Sequence, residues 1–215
     1  MALIFPRWPN SIPLVAAVAL PLVLGGAVFG LWYWGSPWFT DVGYAPLQPV
    51  PYSHKLHAGD LGIDCRYCHS TVERAARAAI PPTQTCMGCH KKVATESPKL
   101  VLIREAFATD TAVPWVRVHQ LPDYAYFDHS VHLAAGVGCA TCHGRVDQMP
   151  VVTMEKPLSM GWCLDCHKNP KPNLRPKSEI TNMAYDAEAA GYDPDKDPER
   201  KRPVNPPTHC SGCHR

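Results

Sequence analysis

The chain has 215 residues, a formal charge of +2 and 23 prolines. That length suits one ordinary domain or two small ones, and the near-balanced charge gives no ground for a nucleic-acid binder. Proline at about twice its usual ~5% excludes a fold built of long helices or broad sheets.

Residues 1–11 form an N-terminal segment in which Arg7 is the only charge. Residues 12–34, IPLVAAVALPLVLGGAVFGLWYW, carry no charge, and a run of that length predicts a helix that crosses the hydrocarbon layer of a bilayer. Pro21 is tolerated in such a helix. Trp8 precedes the run, and Trp32, Tyr33, Trp34, Trp38 and Phe39 cluster at its end, the aromatic distribution of two membrane interfaces. Positive-inside bias through Arg7 puts the N-terminus in the cytoplasm. A cleaved signal peptide is the competing reading. The run is too long for a usual signal core, however, and aromatic bulk follows where small cleavage-site residues belong. The expectation is a retained single-pass anchor, with Gly26 and Gly30 spaced to admit a neighbouring helix. Residues 35–51 read as a proline-rich linker.

Two later stretches resemble each other. YSHKLHAGDLGIDCRYCH begins at Tyr52 and FDHSVHLAAGVGCATCH at Phe127, and both read aromatic-x-His-x-x-His, a glycine-containing spacer, then Cys-x-x-Cys-His. Each is followed by a second such motif, at Cys86 and at Cys163. The chain therefore divides into a first repeat unit (52–118), a second (119–169) and an extended segment (170–215) with a last motif. Within the first unit, short helices are predicted from Thr71 to Ala79, stopped by Pro81-Pro82, and from Ser97-Pro98 to about Phe107. In the latter, Leu100, Ile103 and Phe107 share one face, which packs against the interior. Residues 170–208 mix proline and charge without periodicity and read as extended surface chain, wrapping the core or contacting a partner protein.

All ten cysteines fall in the five motifs: Cys65/Cys68/His69, Cys86/Cys89/His90, Cys139/Cys142/His143, Cys163/Cys166/His167 and Cys210/Cys213/His214. None is left over for a disulfide. Two thiols two residues apart reach the two vinyl-derived carbons of one porphyrin, and the next residue puts an imidazole under the iron. Zinc knuckles and redox disulfides do not require a histidine directly after every second cysteine. The sequence thus predicts five covalently bound c-type haems. Their propionates would offset the small positive charge, so charge says little about partners. Haem attachment takes place outside the cytoplasm, in accord with the orientation read from Arg7. The fold class expected is a class III-like multihaem cytochrome c: mostly loops and short α-helices around five covalent haems, with one N-terminal transmembrane helix.

A haem iron held by one histidine has one axial position left. If open it binds small molecules; if filled the iron is an electron carrier. Six further histidines stand outside the motifs: His54, His57, His119, His129, His132 and His209. His54 and His57 lie one helical turn apart, as do His129 and His132, so each pair can complete two neighbouring irons. His54 is expected at the haem of His69 and His129 at the haem of His143, while the haems served by His57 and His132 stay open. For the fifth iron the candidates are His119, in PWVRVHQLPDY, Met149, in GRVDQMP, and Met183. Met160 and His209 precede their own motifs too closely to reach the far face of the same haem.

Beyond the bare motifs, the blocks SHKLHAGDLGIDCRYCH, IPPTQTCMGCH, WVRVHQLPDY, FDHSVHLAAGVGCATCHGRVDQMP, LSMGWCLDCH and PPTHCSGCHR resemble the membrane-anchored pentahaem cytochrome c subunit of bacterial alternative complex III. The resemblance covers nearly the whole chain. It implies an electron-transfer role within a quinol:electron-acceptor oxidoreductase, without substrate chemistry of its own. In that family an integral membrane protein of the complex oxidises quinol, and an iron–sulfur subunit feeds the haems. A cytochrome, a copper protein or an oxidase drains them. The rivals are a multihaem reductase with an open iron and an anchored cytochrome that oxidises quinol itself. The implied location is the cytoplasmic membrane, in contact with lipid, with the haem domain on the periplasmic or outer side.

Overall fold

The structure, a computed structural model, describes residues 6, 8–200 and 202–214. Arg7, on which the orientation argument rests, lies outside the described residues. The chain forms two compact units, Met1–Asp41 and Val42–Arg215, so the boundary falls inside the proline-rich segment 35–51.

In the first unit a short 3-10 turn, Trp8–Ser11, leads into α1, Ile12–Trp34. Pro13 sits in the first turn of α1, where a missing N–H costs nothing, and the helix runs on through Pro21. Its 23 residues span about 35 Å at the usual helical rise. An 18-residue stretch within Trp8–Trp34 has a mean hydropathy of 2.4, and none of that stretch is buried. Such a surface is stable only when something apolar covers it. The aromatic cluster at its end packs on itself: α2, Pro37–Thr40, sets Phe39 against Tyr33 and Trp34, with ring centroids 5.9 and 6.2 Å apart.

The second unit has no β-strand among its described residues, only two isolated bridges, Ala125 with His214 and Val137 with Leu174. Its helices are short: α3 (Cys65–Cys68), α4 (Thr83–His90), α5 (Val101–Ala108), α6 (His129–Ala135), α7 (Cys139–His143) and α8 (Met160–Lys168). A single π-helical turn covers Lys55–Asp60. Side chains start three of the helices. Asp64 accepts the Arg66 N–H at 2.8 Å, Asp128 the Ser130 N–H at 2.8 Å and Ser159 the Trp162 N–H at 3.3 Å.

The one apolar cluster in the described core joins Val50, Met87 of α4 and Ile103 of α5. Leu100 and Phe107 pack against it, so the predicted shared face of that helix does turn inward, against protein. A 3-10 turn, Pro98–Leu100, opens it after Ser97. The helix expected from Thr71 to Ala79 does not form; the segment is a run of turns. Thr71 Oγ1 accepts from Ala79 N at 2.8 Å and donates to Arg77 O at 3.0 Å, stapling the loop shut. A hydroxyl bonded to nearby backbone in this way replaces the helical ladder.

Part of the segment 170–208 wraps the core. Leu174, Arg175 and Ile180 are buried, Arg175 N donates to Gly136 O at 2.9 Å and Cys139 N to Ile180 O at 3.0 Å. Thr181 Oγ1 then reaches Asp64 at 2.9 Å, so one strip of chain ties both repeat units together. Two glycines make the close approaches possible. Gly136 ends α6 with φ +88°, and a Cβ there would meet Arg175 O at 2.7 Å; a Cβ on Gly59 would meet Asp147 O at 2.2 Å.

Candidate haem-binding centre

Helical geometry explains the motif spacing. Residues i, i+3 and i+4 lie on one helix face, so α3, α4, α7 and α8 present each cysteine pair together with its histidine or bring that histidine directly after it. None of the ten cysteines is in a disulfide.

The fifth motif departs from the other four. Spacing gave Cys213 the same standing as the second cysteine of every other motif, yet it is the one motif cysteine that lies outside a helical turn. The 3-10 turn Cys210–Gly212 stops short of it, and Cys213 is the C-cap, with φ −121° and ψ −24°. Its carbonyl accepts from Tyr126 N at 2.7 Å, and the Ala125–His214 bridge holds the next residue. These bonds to the neighbouring segment draw the backbone out of the helix at Cys213. The loop is still closed on Cys210 O, which accepts from Cys213 N at 3.2 Å and from His214 N at 2.9 Å, so the two thiols and the imidazole stay on one turn of chain.

The histidines carry a second regularity. Nδ1 donates to a backbone carbonyl in seven of them: His57 to Ser53 at 2.9 Å, His69 to Ala79 at 2.9 Å, His90 to Val93 at 3.0 Å, His129 to Ala76 at 2.8 Å, His132 to Asp128 at 2.7 Å, His167 to Pro207 at 2.7 Å and His214 to Tyr124 at 3.1 Å. A carbonyl oxygen only accepts, so the proton sits on Nδ1 and the Nε2 lone pair is free. That is the tautomer and orientation a metal-bound imidazole needs. Four of the five motif histidines, and three of the four in the His-x-x-His pairs, share it.

The pairs also meet motif histidines. The rings of His57 and His90 have centroids 6.2 Å apart, those of His132 and His167 6.1 Å, and those of His129 and His143 6.4 Å. Imidazoles on opposite faces of one iron, with Nε2 about 2 Å from the metal, have centres about 6 Å apart. The donor set and its spacing therefore fit iron between paired rings. His54 lies near His69: burial first, then the His69 and His57 imidazoles, push its pKa down to about 4. His143 is the most enclosed of the group, pushed down to about 3 by burial and then by His119, His129, His69 and His54. Burial likewise lowers the pKa of His132 and His119.

One aromatic ring serves each pair, in nearly the same geometry twice. Tyr52 is edge-on to His54 (4.8 Å, 85°) and stacked on His57 (4.4 Å, 21°). Phe127 is edge-on to His129 (4.7 Å, 89°) and stacked on His132 (4.4 Å, 29°). The aromatic position two residues ahead of each pair was visible in the sequence repeat, but spacing alone assigned it no role.

His119 packs edge-on against His143 with centroids 4.4 Å apart, a spacing too short for a metal between those two rings. Met149 gives its carbonyl to Lys55 N at 3.0 Å, and Met183 lines a polar cleft beside Cys65. Met160 is exposed. His209 bonds Ser211 within its own motif turn. Three buried nitrogens have no partner among the described residues: His119 Nε2, Arg175 Nε and Arg200 Nε. The two guanidinium groups suit an anionic group such as a haem propionate. Neither arginine carried any signal in the sequence beyond its place in a charged, proline-rich tail.

Residues 125–215, which carry the last three motifs, match the family model described as cytochrome c7 and related cytochrome c. The chain is also similar to the "Menaquinone reductase, multiheme cytochrome c subunit" of Nitratidesulfovibrio vulgaris, 32% identical over 130 residues. That match covers 58% of this chain and 59% of the relative, so the chain spans about three-fifths of the relative's length.

Proposed function

We propose that this chain is a pentahaem electron-transfer cytochrome c subunit of a membrane quinol:electron-acceptor oxidoreductase of the alternative complex III type. The observation that carries the reading is the set of carbonyl-anchored histidines, each with Nε2 free at a Cys-x-x-Cys-His motif or facing one. A c-type haem supplies a one-electron iron couple when bound. The protein's own work would be to hold four of the irons from both sides and keep substrate off them. His57 and His90 would hold one iron, His132 and His167 another, His129 and His143 a third, and His54 would complete the iron at His69. The relative's name, a multihaem subunit of a menaquinone reductase, supports a place among other subunits of a quinone-linked complex. The resemblance assigns those subunits: an integral quinol-oxidising protein and an iron–sulfur protein upstream, with a cytochrome, copper protein or oxidase downstream. The uncovered apolar surface of α1 supports anchorage in the cytoplasmic membrane.

The test is a count. After acid-acetone extraction the purified chain should keep five haems, seen as pyridine haemochrome and as intact mass. It should take electrons from quinol only when its partner subunits are present. Alkaline carbonate should leave the chain in the membrane pellet, and sequencing should find α1 retained. Quinol oxidation by the chain alone, or haem lost on extraction, would overturn the reading.

A further inference from the structure

The order of the haem sites in space differs from their order in sequence. His54 and His57 share one turn, with His57 facing His90 at 6.2 Å, and α4 closes on α3 where a Cβ built on Gly88 would lie 3.6 Å from the Tyr67 hydroxyl. The second motif therefore adjoins the first. From the first motif the path leads to the third: His129, which faces His143 at 6.4 Å, hydrogen-bonds through both its backbone N and its Nδ1 to Ala76 O, in the loop just after His69. The π-helical turn that carries His57 closes on Val146–Gln148, just after His143, through the Gly59–Asp147 approach. The third motif adjoins the fourth through the next shared turn, where His132 faces His167 at 6.1 Å. The fourth adjoins the fifth because His167 Nδ1 donates to Pro207 O, three residues before Cys210.

Exposure follows the same line. Of the ten cysteines, the exposed ones are Cys89, in the second motif, and Cys210, in the fifth; the other eight are half-buried.

We propose that the haems form an unbranched row in the motif order second, first, third, fourth, fifth, and that the haems at His90 and His214 are its two ends, where electrons enter and leave. This rests on the haem reading above. Along the row one electron passes at a time between neighbouring irons, the donor oxidised as the acceptor is reduced, with no atom or proton transferred. At one end a partner's one-electron metal centre is oxidised, and at the other end a partner's centre is reduced. The first haem in sequence, at His69, is an interior relay.

Two measurements on the full-length holoprotein test the order. A map that locates the irons should give each of those at His90 and His214 a single close neighbour, with those two irons farthest apart. Any other order, or a closed cluster, overturns it. The second measurement uses axial variants in a spectroelectrochemical titration. His57→Met should raise the potential of one haem and disturb one other, because an end has a single neighbour. His132→Met should raise one and disturb two, because an interior site has neighbours on both sides. The reverse counts overturn the order. Irons that are absent or not covalently held would overturn the haem reading itself, which the same samples report separately.

Discussion

Tyr52 stacks on His57 with ring centroids 4.4 Å apart and planes 21° from parallel, and the same ring stands edge-on to His54. An imidazole bound to iron through Nε2 and to a carbonyl through Nδ1 still has torsional freedom about that axis. A stacked ring removes it. Tyr52→Ala should cost about 1 kcal/mol from the lost ring pair and broaden or shift the low-spin ferric signals of two haems in electron paramagnetic resonance. Tyr52→Phe should restore the native spectrum, because Phe127 fills the equivalent place in the second repeat with no hydroxyl. Phe127→Ala should alter a different pair of signals.

His57→Ala and His132→Ala should each open one axial position. Reduced protein should then bind roughly one more carbon monoxide per molecule than the parent. His209→Ala should not change the stoichiometry, since His209 bonds Ser211 within its own turn. Difference spectra under carbon monoxide make the count.

Much of this was legible in the sequence, and the part that was not has a physical cause. Fixed spacing singled out the ten cysteines and five motif histidines as candidates, and the one-turn separation of His54 from His57 and of His129 from His132 put each pair on one turn of chain, where the structure has it. Spacing could not show that Cys213 leaves the helical turn, because the bond that draws it out comes from Tyr126, far away in the chain. The apolar helix Ile12–Trp34 has the bounds its composition predicts. The segment 71–79 failed because one threonine hydroxyl captured the Ala79 N–H, which a helix would have given to Ala75 O, and closed the loop through the Arg77 carbonyl. The sequence offers His119 as a partner for the fifth iron, and only the fold could place it against His143. Arg175 could not be picked out, because its burial depends on the tail folding back over Gly136.

Gly59→Ala should destabilise the holoprotein by about 1–3 kcal/mol, the range for forcing extra atoms into a packed site. The clash is with the backbone carbonyl of Asp147, at 2.2 Å from the built Cβ, so no side-chain rotation relieves it. Thermal melting followed at the haem Soret band measures the loss. Ala58→Gly, one residue earlier, controls for the turn's own flexibility.

Asp64 joins the first motif to the tail, accepting from Arg66 N, from the Arg66 guanidinium and from Thr181. The Arg66 side-chain hydrogen bond, ahead of the other partners, holds its pKa down to about 2 from 3.8. The native state therefore binds fewer protons than the unfolded one between those values, and the contribution is complete above the upper value. It is lost as the pH falls through the lower one. Asp64→Asn should lower the melting temperature at pH 7, with the gap from the parent closing as acid protonates Asp64. The carboxylate is partly open to water, so the neutral-pH effect should be modest.

Among the described residues of the whole chain, the buried apolar side chains other than proline number eight. Too little hydrocarbon is hidden there to drive collapse on its own. On the haem reading proposed above, this polypeptide is a casing whose filling arrives from outside, so maturation and folding become a single event. A cell that runs short of haem, or of the machinery that ligates it, would not accumulate a dormant apoprotein; it would make a substrate for its own proteases.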